Sequence, residues 1–324
     1  MNTHNITVVG SYATGLTMKL KRMPTTGETV LGSGYRVDHG GKGSNQAVAC
    51  ARLGAKASFV AKIGNDAFGE SALNLYRDEG IDVSFVQQTN EQPTGVGFIL
   101  VEADSGNNCI AFDAGANELL TTADVARSEG AFQSASVVLT QLEIPVEAAE
   151  EAMKHGRSCG ATTILNPAPV RPLPTSLFQF VDILTPNQTE ARVLTGRNPN
   201  ALIDPEEVAR DLVHMGVRKI VMTLGEEGAM IVDASSVKRV PAVRVPVVDT
   251  TGAGDAFNAG ITTALAFGAS LHAAVEFGVV IGAMTVTKDG VIPSLPRRDE
   301  VRRFCRERNL ALPDWFSIET EARP

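Results

Sequence analysis

Two aspartates bracket a pair of glycines in Asp249-Thr-Thr-Gly-Ala-Gly-Asp-Ala-Phe-Asn-Ala-Gly260. The stretch follows a strand-like run, VRVPVVD (243–249), and opens a helical pattern, AFNAGITTALAFG. The amides of Gly252, Ala253 and Gly254 therefore fall at a helix N-terminus, where unsatisfied N–H groups and the helix dipole favour negative charge. No Gly-Lys-Ser/Thr ending follows, so the turn is not a P-loop. Asp255 falls in the first helical turn. A carboxylate there can take a proton from an attacking hydroxyl while the amides hold a transferring phosphoryl group. The competing reading is an aspartate that merely caps its helix.

Four further stretches carry polar groups at chemically useful spacing. HGGKGSNQAV (39–48) offers close backbone access at Gly41 and Gly43, a cation at Lys42, and a donor–acceptor pair at Asn45, with a helix expected just after it. That combination suits a polyhydroxylated ligand beside a phosphate; a capped loop is the alternative. TPNQTE (185–190) puts Asn187 and Glu190 on one face of a helical turn. Hard oxygens of this kind suit Mg²⁺ held mainly by nucleotide phosphates, although a helix cap uses the same residues. TLGEEGAMIV (223–232) places Gly225 and Gly228 between two strand-like runs, as a phosphate cradle or a plain hairpin. TVTKDGVIPS (285–294) reads as a loop after a helix, able to aim carbonyls at a cation.

Buried strands and helices alternate around these stretches. The runs at 6–10, 58–64, 136–143, 162–169, 182–187 and 219–225 read as strands, and those at 45–55, 69–80 and 206–216 as helices. The alternation predicts βαβ units and a mostly parallel, covered sheet. Gly54, Gly80, Gly216 and Gly268 are placed to end helices. The most apolar region, 261–287, reads as two packed helices and not as a membrane span. Two β-rich segments, about 14–38 and 93–113, break the rhythm and could form a small accessory sheet over a site. After about Arg308 the tail is polar, with Trp315 and Phe316 as candidate anchors.

With 324 residues, 44% hydrophobic and 20% charged, the chain can bury one large core. A formal charge of -8 argues against a nucleic-acid or membrane-surface partner. Cys50, Cys109, Cys159 and Cys305 lie far apart and show no zinc spacing. They read as thiols of a reducing cytoplasm, and the N-terminal stretch shows no secretory pattern.

The order of these motifs is more telling than any one of them. GGKGSNQAVACARLGA, QLE (141–143), LNPAP (165–169), TPNQTE, TLGEEG (223–228) and DTTGAGDAFNAG together resemble the ribokinase, or PfkB, family of sugar kinases over roughly 5–305. The resemblance implies a three-layer α/β/α Rossmann-like sandwich for residues 1–308, with the two inserts as a β-sheet lid that pairs in a homodimer, and a tail at 309–324. It implies Asp255 as catalytic base and the Gly252, Ala253 and Gly254 amides as the anion hole. Gly41, Lys42, Gly43, Asn45 and Glu143 would border the sugar. Asn187, Thr223, Leu224, Gly225, Glu226, Gly228, Gly254 and Val279 would line ATP, and Asn187 and Glu190 would organise Mg²⁺. A K⁺ site would draw on Asp249, Thr251, Thr285, Lys288, Gly290 and Ser294.

One stretch departs from the family. Its members usually carry Gly-Ser-x-Asn-x-Asp after the first strand, with the Asn and Asp on sugar hydroxyls. Here GSYATG (10–15) puts Ala13 and Gly15 at those positions and adds Tyr12 as a possible new face. Losing two such contacts, each worth about 1–3 kcal/mol, weakens ribose binding. The resemblance by itself implies ribose, phosphorylated to ribose 5-phosphate, whereas Ala13 and Gly15 point to a larger, substituted or deoxygenated sugar. A nucleoside kinase and a non-catalytic sugar-binding protein are the alternatives.

Overall fold

The computed structural model describes residues 4–317. Thirteen strands run in the order β1 (Asn5–Val9), β2 (Ala13–Leu20), β3 (Gly32–Gly40), β4 (Lys56–Gly64), β5 (Val86–Thr89), β6 (Gly95–Glu102), β7 (Asn108–Asp113), β8 (Val137–Thr140), β9 (Thr162–Leu165), β10 (Ile183–Leu184), β11 (Lys219–Thr223), β12 (Ala229–Asp233) and β13 (Val237–Val240). The helices are α1 (Lys42–Arg52), α2 (Ala67–Asp78), α3 (Thr122–Arg127), α4 (Glu129–Gln133), α5 (Val146–Ser158), α6 (Gln188–Leu194), α7 (Pro205–His214), α8 (Ala253–Ala266), α9 (Leu271–Thr285), α10 (Val291–Ser294), α11 (Arg298–Glu307) and α12 (Asp314–Ser317).

Nine strands form one sheet in the order β13-β12-β11-β10-β9-β8-β1-β4-β5. It is parallel from β11 to β5, and β12 and β13 continue it antiparallel. Alternation along each strand feeds two separate cores. Ile6, Val8, Val137 and Leu139 point to the side packed by α1, α8 and α9. Val9, Val60, Val138 and Leu165 point to the side packed by α5 and α7. A helical layer on each face of a covered sheet is the three-layer α/β/α sandwich expected.

The strands end earlier than their apolar runs. Pairing stops at Thr140, Leu165 and Leu184, so QLE, NPAP and TPN spill from the carboxyl edge of the sheet. In open α/β sheets that edge is where ligands bind. The run VRVPVVD, read as a strand, forms none. Pro241 and Pro246 have no N–H to give a ladder, and Val248 and Asp249 instead donate to the Val286 carbonyl. Four of the helical stretches do end as expected, at Gly54, Gly80, Gly216 and Gly268, all with positive φ.

The two β-rich inserts come together as a separate four-stranded sheet, β3-β2-β6-β7. Tyr35, Val37, Phe98, Ile110 and Phe112 of this sheet are each at least half exposed. Near the other end, Phe316 is fully buried beneath the Arg298 guanidinium, and Trp315 stacks on Phe267 at 4.9 Å. Both aromatic residues thus anchor the tail, whose residues 318–324 lie outside the described region. Among the described residues no helix is long and apolar enough to cross a membrane.

Candidate active site

Gly252 opens α8 with φ 79°, a left-handed conformation that a Cβ would resist. The turn lets the chain enter the helix at once, so Asp255 sits in its first turn. Asp255 does not cap that helix. Its side chain turns to α1, where Asn45 Nδ2 donates to Oδ2 at 2.8 Å and Gln46 Nε2 donates to Oδ1 at 2.9 Å. Asn45 keeps its own Oδ1 buried with no partner among the described residues. Burying that acceptor is costly unless a ligand or water donates to it.

Further amides extend this network. Gln46 also donates to Asn166 at 3.2 Å, Asn166 to the Thr185 carbonyl at 3.1 Å, and Thr185 to Asn258 at 2.6 Å. Asn258 closes the chain on the Gly254 carbonyl at 2.8 Å. The carboxyl edges of β9 and β10 thereby hold both α1 and the start of α8. Gln46, Asn166 and Asn258 were not singled out from the sequence, although amides inside runs as apolar as AFNAGIT are a readable signal.

Lys42 is the first residue of α1, one turn earlier than the expected helix start. Its amide and the Ser11 hydroxyl both donate to Glu143 Oε2, at 2.8 and 2.6 Å. Gly43 must be glycine here, because a Cβ would lie 2.5 Å from the Ser11 nitrogen. Burial pulls the Lys42 ammonium down, but Asp255, Glu143 and Glu190 together hold it above its ordinary value. Burial pushes the Asp255 carboxyl up, against the opposing pull of Lys42, Asn45 and Gln46. Burial likewise raises Glu190. One cation and three carboxylates therefore meet at the mouth of α8.

Of the three amides expected to form the anion hole, Ala253 donates to the Thr250 carbonyl at 3.2 Å. The Gly254 amide has no acceptor among the described residues, and the space where its Cβ would stand is open. Asn187 and Glu190 form a reciprocal capping box at α6, each bond 2.8 Å. That bond uses Glu190 Oε2 and leaves Oε1. Asn187 bridges to Thr223 at the sheet edge, which brings those two positions together. Gly225 faces open space, whereas Gly228 packs against Val240 in the β11–β12 hairpin. Leu224 and Val279 are both buried, so Leu224 has only its backbone to offer, and Glu226 is exposed.

Asp249 Oδ1 accepts from the Thr251 amide and hydroxyl, and Oδ2 from the Gly290 amide at 3.3 Å. Burial raises this carboxyl, but those donors outweigh it and hold it below the usual range. Thr285 and Ser294 give their hydroxyl protons to Ile281 and Val291, while the Lys288 amide caps the Thr285 carbonyl. The Gly290–Asp249 bond and the donation of the Val248 and Asp249 amides to the Val286 carbonyl bring 249–251 beside 285–294 at the turn that opens α8. Tyr12, expected as a face toward the sugar, is 1% exposed and packs edge-on against Tyr76. Its hydroxyl bonds His39 at 2.8 Å, and burial lifts it to about 12.

Residues 3–298 match the pfkB family of carbohydrate kinases. The chain belongs to that family. It is 36% identical over 302 residues to a ribokinase of Haemophilus influenzae, covering 92% of this chain and 97% of the relative. It is 33% identical to a deoxyribokinase of Salmonella typhi, covering 93% and 98%. An Arabidopsis thaliana ribokinase solved with ribose and ATP superposes with a TM-score of 0.85 at 28% identity, covering 97% and 99%. This pfkB chain is accordingly an ATP-dependent carbohydrate kinase, as its motif order implied.

Proposed function

We propose that the protein transfers the γ-phosphoryl group of ATP to a primary hydroxyl of a small sugar. The observation that carries this reading is Asp255, turned from its own helix to Asn45 and Gln46 and set beside Lys42 at the mouth of α8. A raised carboxyl is a stronger base than an ordinary one, and Lys42, Asn45 and Gln46 favour its charged form against the burial that raises it. Asp255 takes the hydroxyl proton as the oxygen attacks. The first-turn amides, foremost Gly254, and Lys42 face the charge on the migrating group, so catalysis rests on positioning and electrostatics. Asn45 Oδ1 and Glu143 are the polar atoms offered to the sugar.

ATP lies across Asn187, Thr223 and Gly225 in this reading. Glu190 Oε1 is available to a Mg²⁺ water shell, and that ion supplies charge neutralisation on the phosphates. The oxygen set around Asp249 would hold K⁺ behind the anion-binding turn. Ala13 and Gly15 put no polar side chain beside the sugar, which favours an acceptor other than ribose. A nucleoside acceptor keeps the same chemistry. The lid sheet would close over the site and exclude water.

ADP release with a panel of pentoses, hexoses, deoxy sugars and nucleosides tests the reading. The expected result is sugar-dependent turnover that vanishes in Asp255→Asn. Sugar binding without any Asp255-dependent turnover would instead mark a binding protein on a kinase scaffold.

A further inference from the structure

Strands β2 and β3 run antiparallel with Ala13 opposite Gly40 and Gly15 opposite Asp38. Directly opposed residues project from the same face of a sheet. Asp38 therefore stands on the face where Gly15 offers no side chain. A Cβ built at Gly15 would lie 3.9 Å from the Asp38 Cβ and 3.5 Å from Ile99 Cδ1, both ordinary contacts. A side chain at Gly15 would thus meet no clash, and a carboxylate borders that position.

Asp38 is held in place. Arg36 Nε donates to its Oδ2 at 2.8 Å, and Arg36 Nη1 reaches Asp289 Oδ2 at 2.8 Å. Asp289 adjoins Gly290, whose amide meets Asp249 just ahead of the α8 turn. The Arg36 bridge therefore ties β3 to the loop behind the anion-binding amides. Beyond Asp38 the chain passes through Gly40 and Gly41 into Lys42 and Asn45, and Asn45 holds Asp255. Among the described residues Asp38 Oδ1 receives no hydrogen bond. An ionised carboxylate only accepts, and a sugar's adjacent hydroxyls are matching donors.

We infer that Asp38 binds the acceptor's hydroxyls from the strand facing β2, and that the acceptor is a sugar with an intact vicinal diol turned toward β3. This rests on the kinase reading and on Ala13 and Gly15 bordering the sugar. It changes the meaning of those two small residues. The site still reads hydroxyls, but from a carboxylate displaced across the strand pair, so a deoxygenated acceptor is disfavoured.

Initial rates with ribose, 2-deoxyribose and the other sugars of the panel test the inference in the native chain, Asp38→Asn, Asp38→Ala, and Gly15→Asp placed in the Asp38→Ala background. Both single variants should raise KM for the best vicinal-diol sugar about 10- to 100-fold, the scale of a lost charge-assisted contact, with kcat and the KM for ATP nearly unchanged. Preference for that sugar over its deoxy analogue should collapse. Gly15→Asp should restore part of it by returning a carboxylate to the same face. An unchanged KM and preference in both single variants overturns the inference and leaves the kinase reading standing. So does a rise in KM for the sugar matched by an equal rise for ATP and a lower melting temperature, which would mark Asp38 as a mere partner of Arg36. No turnover of any sugar by the native chain overturns both.

Discussion

Asp255 is buried, charged and held by two amides, and these facts set opposite demands on activity and stability. Its pKa is raised in the fold, so its contribution to stability is fully present below the unfolded value of about 3.9 and is lost as pH rises through the folded one. Once ionised, the side chain therefore destabilises the native state. Asp255→Asn should lower kcat by about 10²–10⁴-fold yet raise Tm by about 1–3 °C at pH 7–8. The unpartnered Asn45 Oδ1 can accept from the new amide after a flip. Calorimetry across pH checks the sign: the gain in Tm should shrink as pH falls toward 4. A pH–rate profile should place the acid limb of kcat/KM above the ordinary aspartate range.

At the scale of one element, α6 shows how a cap and a cation-binding role share residues. Asn187 caps α6, so Asn187→Ala should cost about 0.5–2 kcal/mol of stability. Glutamine also completes a capping box, so Glu190→Gln should keep Tm while removing the charge available to Mg²⁺. The expected result is a half-activating Mg²⁺ concentration raised about 10-fold, within the range for altered metal surroundings. Melting curves and Mg²⁺ titrations of the two variants separate the roles. If Glu190→Gln leaves the Mg²⁺ titration unmoved, the pair serves the helix alone.

The whole molecule carries an exposed apolar face on its smaller sheet. Val37 and Phe98, each 52% exposed, share one face of it on either side of Leu16, and a sheet with such a face and free edges invites pairing. Pairing of two lids would bury them by a symmetric contact. Sedimentation equilibrium should give twice the 34.3 kDa chain mass. Phe98→Glu combined with Val37→Glu should give the single-chain mass. A monomeric native chain would rule the dimer out.

The sequence by itself determined the layers, the accessory inserts, the family and the positions of Asp255, Lys42 and Glu190. These follow from local causes: alternating apolar runs, glycines at helix ends and polar motifs in fixed order. It misplaced the strand at VRVPVVD, where Pro246 breaks the ladder, and it offered Tyr12 as a possible face to the ligand when the core claims it. Only the tertiary structure decided that Asp255 faces α1 and does not cap α8. Gln46 and Asp255 are far apart in the chain, and their contact exists because α1 packs on α8. The same holds for Gly15 and Asp38, which meet through strand register. Spacing along a chain reports one helix or strand; which carboxylate faces which site is fixed by the packing of elements that the chain brings together only on folding.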